Sequence, residues 1–227
     1  IKQVSNEPCY DHLRLAFASA LVSRVSNLRF GPEVGVGRIK ADAQVISNWL
    51  REVERFALDL RAVNKKAYAT STVYQEDSRQ LSSVLRSDAV DAVITSPPYP
   101  NEKDYTRTTR LESVLLGFVT SKQDLQKFKK SFVRSNTRGV YKEDTDHLWV
   151  AENKRILQIA NQIEERRIEL GKTSGFERLY PRVTKLYFGG MARHLEELKR
   201  VLKPGARLAY VVGDQASYLR VMIRTCL

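Results

Sequence analysis

The chain predicts an α/β fold with a parallel sheet, and three stretches carry that prediction. In DAVITSPPY, Asp91 to Tyr99, the apolar run Ala92, Val93 and Ile94 is of the kind found in a strand buried on both faces. Two prolines follow it and cannot extend it, because they lack a backbone N–H. From Tyr187 to Leu202 apolar residues recur at helical spacing until Lys203-Pro204-Gly205 stops them, and Arg207 to Val212 then reads as a buried-type strand ending at Gly213-Asp214. Helix, Pro-Gly turn and strand in that order form the αβ unit of a parallel sheet. Within residues 41 to 62, Val45, Trp49, Val53, Phe56 and Leu60 step by four, four, three and four, as a strongly amphipathic helix does. A length of 227 residues suits one sizeable core with room for an inserted subdomain.

Taken in order, Leu13, Phe17, Ala20 and Leu21 predict a helix from Asp11 to about Ser26, with Asp11 as N-cap. Asn27 to Gly37, NLRFGPEVGVG, holds three glycines, but it follows a helix and lacks the GxGxxG spacing. It reads as a connector, not a dinucleotide loop. After the polar stretch Asn64 to Ala69, Thr70 to Gln75 carries β-branched and aromatic residues and reads as a strand with Glu76, Asp77 and Ser78 at its C-terminal end. Residues 79 to 85 read as a short helix, and Pro100 to Thr109 leads into another that carries Leu111, Val114, Leu115 and Phe118. Residues 144 to 172 are charge-balanced and helical, with a partial stripe of Ile156, Ile159, Ile163 and Ile168. Tyr187, Met191, Leu195, Leu198 and Leu202 form a core stripe. His194 on the same helix reads as exposed or core-edge, since no carboxylate partner or nucleophile pattern accompanies it.

Hydrophobic content of 42% and charged content of 28% describe a soluble globular chain. The formal net charge of +12 favours a polyanionic partner such as nucleic acid, although solubility alone also accounts for it. Cys9 and Cys226 lie near opposite ends with no CxxC or Cys/His spacing, so neither a zinc site nor a disulfide framework is indicated, and a reducing, cytoplasmic location fits. No apolar run approaches the length of a membrane span and the first residues lack a signal-peptide layout.

The candidate site begins where the central strand ends. Pro97 and Pro98 fix φ near −65° and hold the residues before them extended, so the Ser96 hydroxyl and nearby carbonyls take directions set before any ligand arrives, beside the flat ring of Tyr99. Fixed acceptors next to a stacking face suit a planar group with an amino substituent, such as a base taken out of its helix; a Pro-rich turn closing a core strand is the alternative. Asp77, at the carboxyl end of its strand, is placed either to accept hydrogen bonds from a bound cofactor or to cap the short helix after it. Tyr105, Arg107 and Arg110 follow the loop directly and suit flanking phosphates and bases, while Arg110 could instead pair with Glu112 or Glu143. From Lys122 to Lys142 there are seven cations, among them Lys127, Lys129, Lys130 and Arg134, against the single acid Asp124, with Phe128, Phe132 and Tyr141 interleaved. A solvated helix face explains such a run, and so does a nucleic-acid contact surface.

The strand-acid at Asp77, the strand-SPPY at Ser96 and the helix-KPG-strand-GD at Asp214 together resemble the amino-methyltransferases that act on DNA bases, over roughly residues 70 to 120 and 183 to 217. The longer run SPPYPNEKDYTRTTRLESVLLGF is similar to bacterial DNA methylases as a class. The resemblance implies a Rossmann-like methyltransferase sheet, here incomplete, with a basic helical insertion, S-adenosylmethionine as cofactor and double-stranded DNA as partner. It also implies that Ser96, Pro97, Pro98 and Tyr99 close the target-base pocket, and that TSPPY is the version associated with cytosine-N4 enzymes. Adenine-N6 transfer is the runner-up, followed by an RNA base or a protein amide, and a binding module with a vestigial loop is the reading from another class. If Ser96 Oγ and the Pro97 carbonyl accept the two N–H bonds of an exocyclic amine, its nitrogen can pyramidalise and aim its lone pair at a methyl sulfonium.

The family's glycine-rich cofactor loop has no counterpart in residues 1 to 227, and it is expected to precede Ile1 in a longer protein. The layout expected is the N-terminal helices and first part of the core over 1–120, the basic insertion, a candidate for target recognition, over 121–180, and the remaining core over 181–227. A restriction endonuclease is a candidate partner.

Overall fold

The computed structural model describes residues 8–29, 34–63, 69–101 and 103–223. The middle of the glycine-bearing connector, residues 64 to 68 of the polar stretch and Cys226 lie outside the described residues. The chain forms two compact units, one of residues 1–72 and 105–127, the other of 73–104 and 128–227.

In the first unit, α1 (Tyr10–Ala20) runs into a wider π turn over Leu21–Val25. Two short strands, β1 (Leu28–Arg29) and β2 (Gly35–Val36), pair antiparallel within the connector. Helix α2 (Val45–Val63) packs on α1, with the Phe17 and Trp49 rings edge to face at 5.8 Å and Trp49 Nε1 donating to the Leu13 carbonyl at 3.1 Å. Glu52 is buried there and ion-pairs with Arg24 at 3.1 Å and Arg55 at 2.7 Å, as a carboxylate removed from water requires. The short helices α3 (Tyr105–Thr108) and α4 (Arg110–Leu115) also lie in this unit, and α5 (Lys122–Lys130) begins in it.

The second unit holds the parallel pair. Strand β3 (Val90–Thr95) lies beside β4 (Leu202–Tyr210), with Ala92, Val93, Ile94 and Thr95 opposite Arg207, Leu208, Ala209 and Tyr210. The ladder also joins Val90 to Leu202, so the residues around Lys203-Pro204-Gly205 bulge outward, and Gly205 takes a φ of +79° that suits glycine. Between the strands in sequence come α6 (Lys154–Glu169) and α7 (Tyr180–Val201). Asn153 caps α6 by accepting from the amides of Arg155 and Ile156. The core joins Ile156, Ile159 and Ile163 of α6 to Val183, Tyr187 and Phe188 of α7, with Val133, Val150, Tyr218 and Ile223 around them.

Three expectations are corrected. Thr70 to Gln75 forms no strand: it has no ladder partner among the described residues, and without one its peptide groups turn to water. The run at Ala92–Ile94 is not buried on both faces; Val93 and Thr95 are half-buried while Ile94 is 86% exposed, because a two-stranded sheet covered on one side exposes alternate residues. On α7 the buried line runs through Val183, Tyr187, Gly190, His194, Leu198 and Val201, whereas Leu195 is 49% exposed. The glycines set that rotation. A Cβ on Gly189 would stand 1.8 Å from the Asp146 carbonyl oxygen, so only glycine lets the turn Asp146–Val150 lie against α7. Gly189→Ala is therefore expected to destabilise the fold by about 3 kcal/mol, at the upper end of overpacking costs, measured by urea denaturation.

Candidate active site

The parallel ladder continues one residue past β4, where the Val211 amide donates to the Thr95 carbonyl at 2.9 Å. That bond places the Val211 carbonyl beside the first residue of the loop. Ser96 Oγ donates to it at 3.2 Å and stands 3.4 Å from the Tyr99 hydroxyl. Ser96 is exposed, Pro97, Pro98 and Tyr99 are half-buried, and Pro100 is fully buried and anchors the loop. A serine hydroxyl has one proton and two lone pairs. With the proton given to a main-chain carbonyl, the oxygen faces a ligand as an acceptor.

The Asp77 carboxylate is engaged within its own segment. Its Oδ1 accepts from the Arg79 amide and Nε at 2.9 Å each, and its Oδ2 from Arg79 Nη2 at 2.6 Å. Arg79, 6% exposed, continues to Asp146 Oδ2 at 2.5 Å and to the Lys130 carbonyl at 3.1 Å, and Arg193 completes the cluster on Asp146 Oδ1 at 3.3 Å. Burial works against the Arg79 charge, but the hydrogen bond and charge of Asp77 and then of Asp146 outweigh it and raise its pKa above the ordinary arginine value.

The residues downstream of the loop are tied to the basic stretch within the same unit. Asp104 is buried and ion-pairs with Lys129 at 2.7 Å, and the Lys103 carbonyl accepts from the Asn136 amide at 3.2 Å and from Ser135 Oγ at 3.4 Å. Arg134, 5% exposed, clasps Asp144 through Nε at 2.9 Å and Nη2 at 2.7 Å and lies 5.4 Å from the Tyr141 ring centre. Lys130 pairs at the surface with Glu143 and lies 5.0 Å over Tyr141. Lys127 is exposed. In the first unit Tyr105 and Arg110 are exposed, Arg107 is half-buried, and Arg110 donates to Thr106 Oγ1 at 3.2 Å.

The strand pairing thus brings Ser96 to Val211, a main-chain acceptor that no side-chain pattern could reveal. Asp77, Lys129 and Arg134 are engaged in ion pairs with Arg79, Asp104 and Asp144. Among the described residues no group of three His, Cys, Asp or Glu could hold a metal ion, and no helix is long and apolar enough to cross a membrane.

The chain is 27% identical over 195 residues to the Type II methyltransferase M.AvaI, both that of Nostoc sp. and that of Anabaena variabilis, covering 82% of this chain and 39% of each relative. It is 28% identical over 177 residues to the Type II methyltransferase M.BsoBI of Geobacillus stearothermophilus, covering 70% of this chain and 34% of that protein. The chain therefore spans well under half the length of these relatives. No family model matches, and no solved structure matches.

Removing Arg79 would leave Asp77 and Asp146 facing each other's charge in a buried cluster. Arg79→Met is expected to cost about 3–5 kcal/mol, as for loss of one member of a buried pair, and Arg79→Lys should recover little because an ammonium cannot bridge both carboxylates. Chemical denaturation of the three proteins compares them directly.

Proposed function

We propose that this chain carries the target-base half of a DNA methyltransferase that moves a methyl group from S-adenosylmethionine to an exocyclic amine of a flipped base, cytosine N4 by preference, on a Rossmann-like sheet. The observation that carries this reading is the Ser96 hydroxyl, exposed at a strand end with its proton committed to the Val211 carbonyl. The likeness to Type II methyltransferases supports it, and the TSPPY motif favours cytosine N4. A restriction endonuclease of matching site is the partner that goes with it.

An exocyclic amine is a poor nucleophile because its lone pair is delocalised into the ring. Ser96 Oγ accepts one amine N–H and the Pro97 carbonyl the other, which favours a pyramidal nitrogen with its lone pair available. Tyr99 stacks on the base and Pro98 keeps the loop rigid, so catalysis is positioning and electrostatic complementarity without a covalent enzyme intermediate. The sulfonium donor supplies the methyl group. Asp77 suits the donor only if Arg79 yields, since Arg79 makes four contacts to its carboxylate, two on each oxygen. Double-stranded DNA is contacted by Tyr105, Arg107, Arg110 and Lys127 of the first unit and by Lys130 of the second, in which Lys129 and Arg134 are held in ion pairs.

In the full-length protein, Ser96→Ala is expected to lower kcat for methyl incorporation by roughly 10²-fold or more, in the range for loss of one transition-state hydrogen bond, with DNA binding by gel shift retained. Full activity in that variant would contradict the role. Lys127→Gln should weaken binding to all DNA sequences alike and reduce the slope of log affinity against log salt by about 1, whereas Arg134→Gln should instead lower the unfolding midpoint.

A further inference from the structure

His194 lies on the buried line of α7 and is 9% exposed. Its Nδ1 lies 2.9 Å from the Ser78 carbonyl and its Nε2 lies 2.6 Å from the Tyr210 hydroxyl. These partners belong to separate parts of the site. Ser78 follows Asp77, whereas Tyr210 ends β4 opposite Thr95, one residue before the Val211 carbonyl that orients Ser96. The same helix grips the first segment again one turn on, where Glu197 accepts from Ser82 Oγ at 2.6 Å and from the Ser82 amide at 3.3 Å. Hydrogen bonding by Ser82 holds the Glu197 carboxyl below its ordinary pKa.

The chemistry of the Ser78 carbonyl fixes one end of the ring. A carbonyl oxygen only accepts, so the Ser78 contact requires the proton on Nδ1; in the neutral ring Nε2 is then an acceptor and the Tyr210 O–H donates to it. Burial raises the Tyr210 pKa above the ordinary tyrosine value, which keeps the phenol protonated as that donation demands.

We infer that His194 is a positioning residue that donates from Nδ1 to the Ser78 carbonyl and ties the Asp77 loop to the strand end at which Ser96 takes its direction. It touches no reacting atom. Through Tyr210 it holds the end of β4, and through Ser78 it holds the acid-bearing segment at a set distance from that end. The inference rests on the amino-methyltransferase reading for its catalytic consequence and on geometry alone for the bridge itself.

Two measurements test it. In the chain labelled with ¹⁵N in its imidazoles, the three histidines are separated by the loss of one set of signals in His194→Gln. His194 should show the Nδ1–H tautomer, with an Nε2 resonance that shifts in Tyr210→Phe. An Nε2–H tautomer would overturn the bridge, since Nδ1 could not then donate to Ser78. In the full-length protein Tyr210→Phe, which removes one oxygen and leaves the ring packed, should lower kcat for methyl transfer by roughly tenfold while KM for DNA stays within about twofold, the pattern of a misplaced reacting group. An unchanged kcat in Tyr210→Phe, alongside loss of activity in Ser96→Ala, would overturn the positioning role and leave the methyltransferase reading standing. If the unmodified protein transfers no methyl group, that reading itself fails, and the tautomer decides the bridge by itself.

Discussion

The site depends on the parallel pairing of β3 and β4 and on its extension by the bond from the Val211 amide to the Thr95 carbonyl. A parallel ladder alternates donors and acceptors along each strand, so fixing that amide also fixes the carbonyl of the same residue one step beyond the edge of β3. Ser96 is the first residue there, and Pro97 prevents the chain from continuing as strand. Its hydroxyl therefore meets a main-chain oxygen whose position is set by the whole ladder, and a one-residue slip of β4 would remove the partner and the direction together.

Helix α7 delivers β4 to that register and serves three further contacts at once. Glycine at 189 admits the turn Asp146–Val150, and that turn supplies the carboxylate that balances Arg79 and Arg193. One turn on, His194 and Glu197 hold the segment that begins at Asp77. The buried and half-buried cations follow a common logic. Arg79, Lys129 and Arg134 each meet a carboxylate at 2.5–2.9 Å, because a charge taken out of water persists only when paired and hydrogen-bonded. Each such pair is neutral and leaves the net charge of +12 untouched, and exposed side chains such as Lys127, Arg138 and Lys142 are the ones available to a polyanion.

Much of this was legible in the residues, and what was not has physical causes. The helices at α2 and α7, the break after Thr95 and the end of α7 just before Lys203-Pro204-Gly205 follow from periodicity and from what proline cannot do. The apolar run Ala92–Ile94 could not show which face would be covered, because burial on two faces and on one begin from the same composition. Thr70 to Gln75 had strand composition but a strand exists only with a partner, and pairing is a property of distant sequence. The place of Asp77 in the chain marks it, but its link through Arg79 to the distant Asp146 is encoded by no local pattern. The contacts of His194 at the core edge leave no sequence signal, because its partners are a backbone carbonyl and a tyrosine, neither of which makes a motif with histidine.

With the matched relatives more than twice as long as the region they share with this chain, the geometry speaks most clearly about the acceptor of the reaction. In the proposed reading, Ser96 Oγ and the Pro97 carbonyl accept the two N–H bonds of an exocyclic amine and give no activation to a ring carbon. The most direct test is the identity of the product. DNA from cells expressing the full-length protein, digested to nucleosides and resolved by mass spectrometry, should contain N4-methylcytosine that is absent when Ser96 is replaced by alanine. Finding 5-methylcytosine as the product, a base methylated at carbon with its amine untouched, would contradict the account.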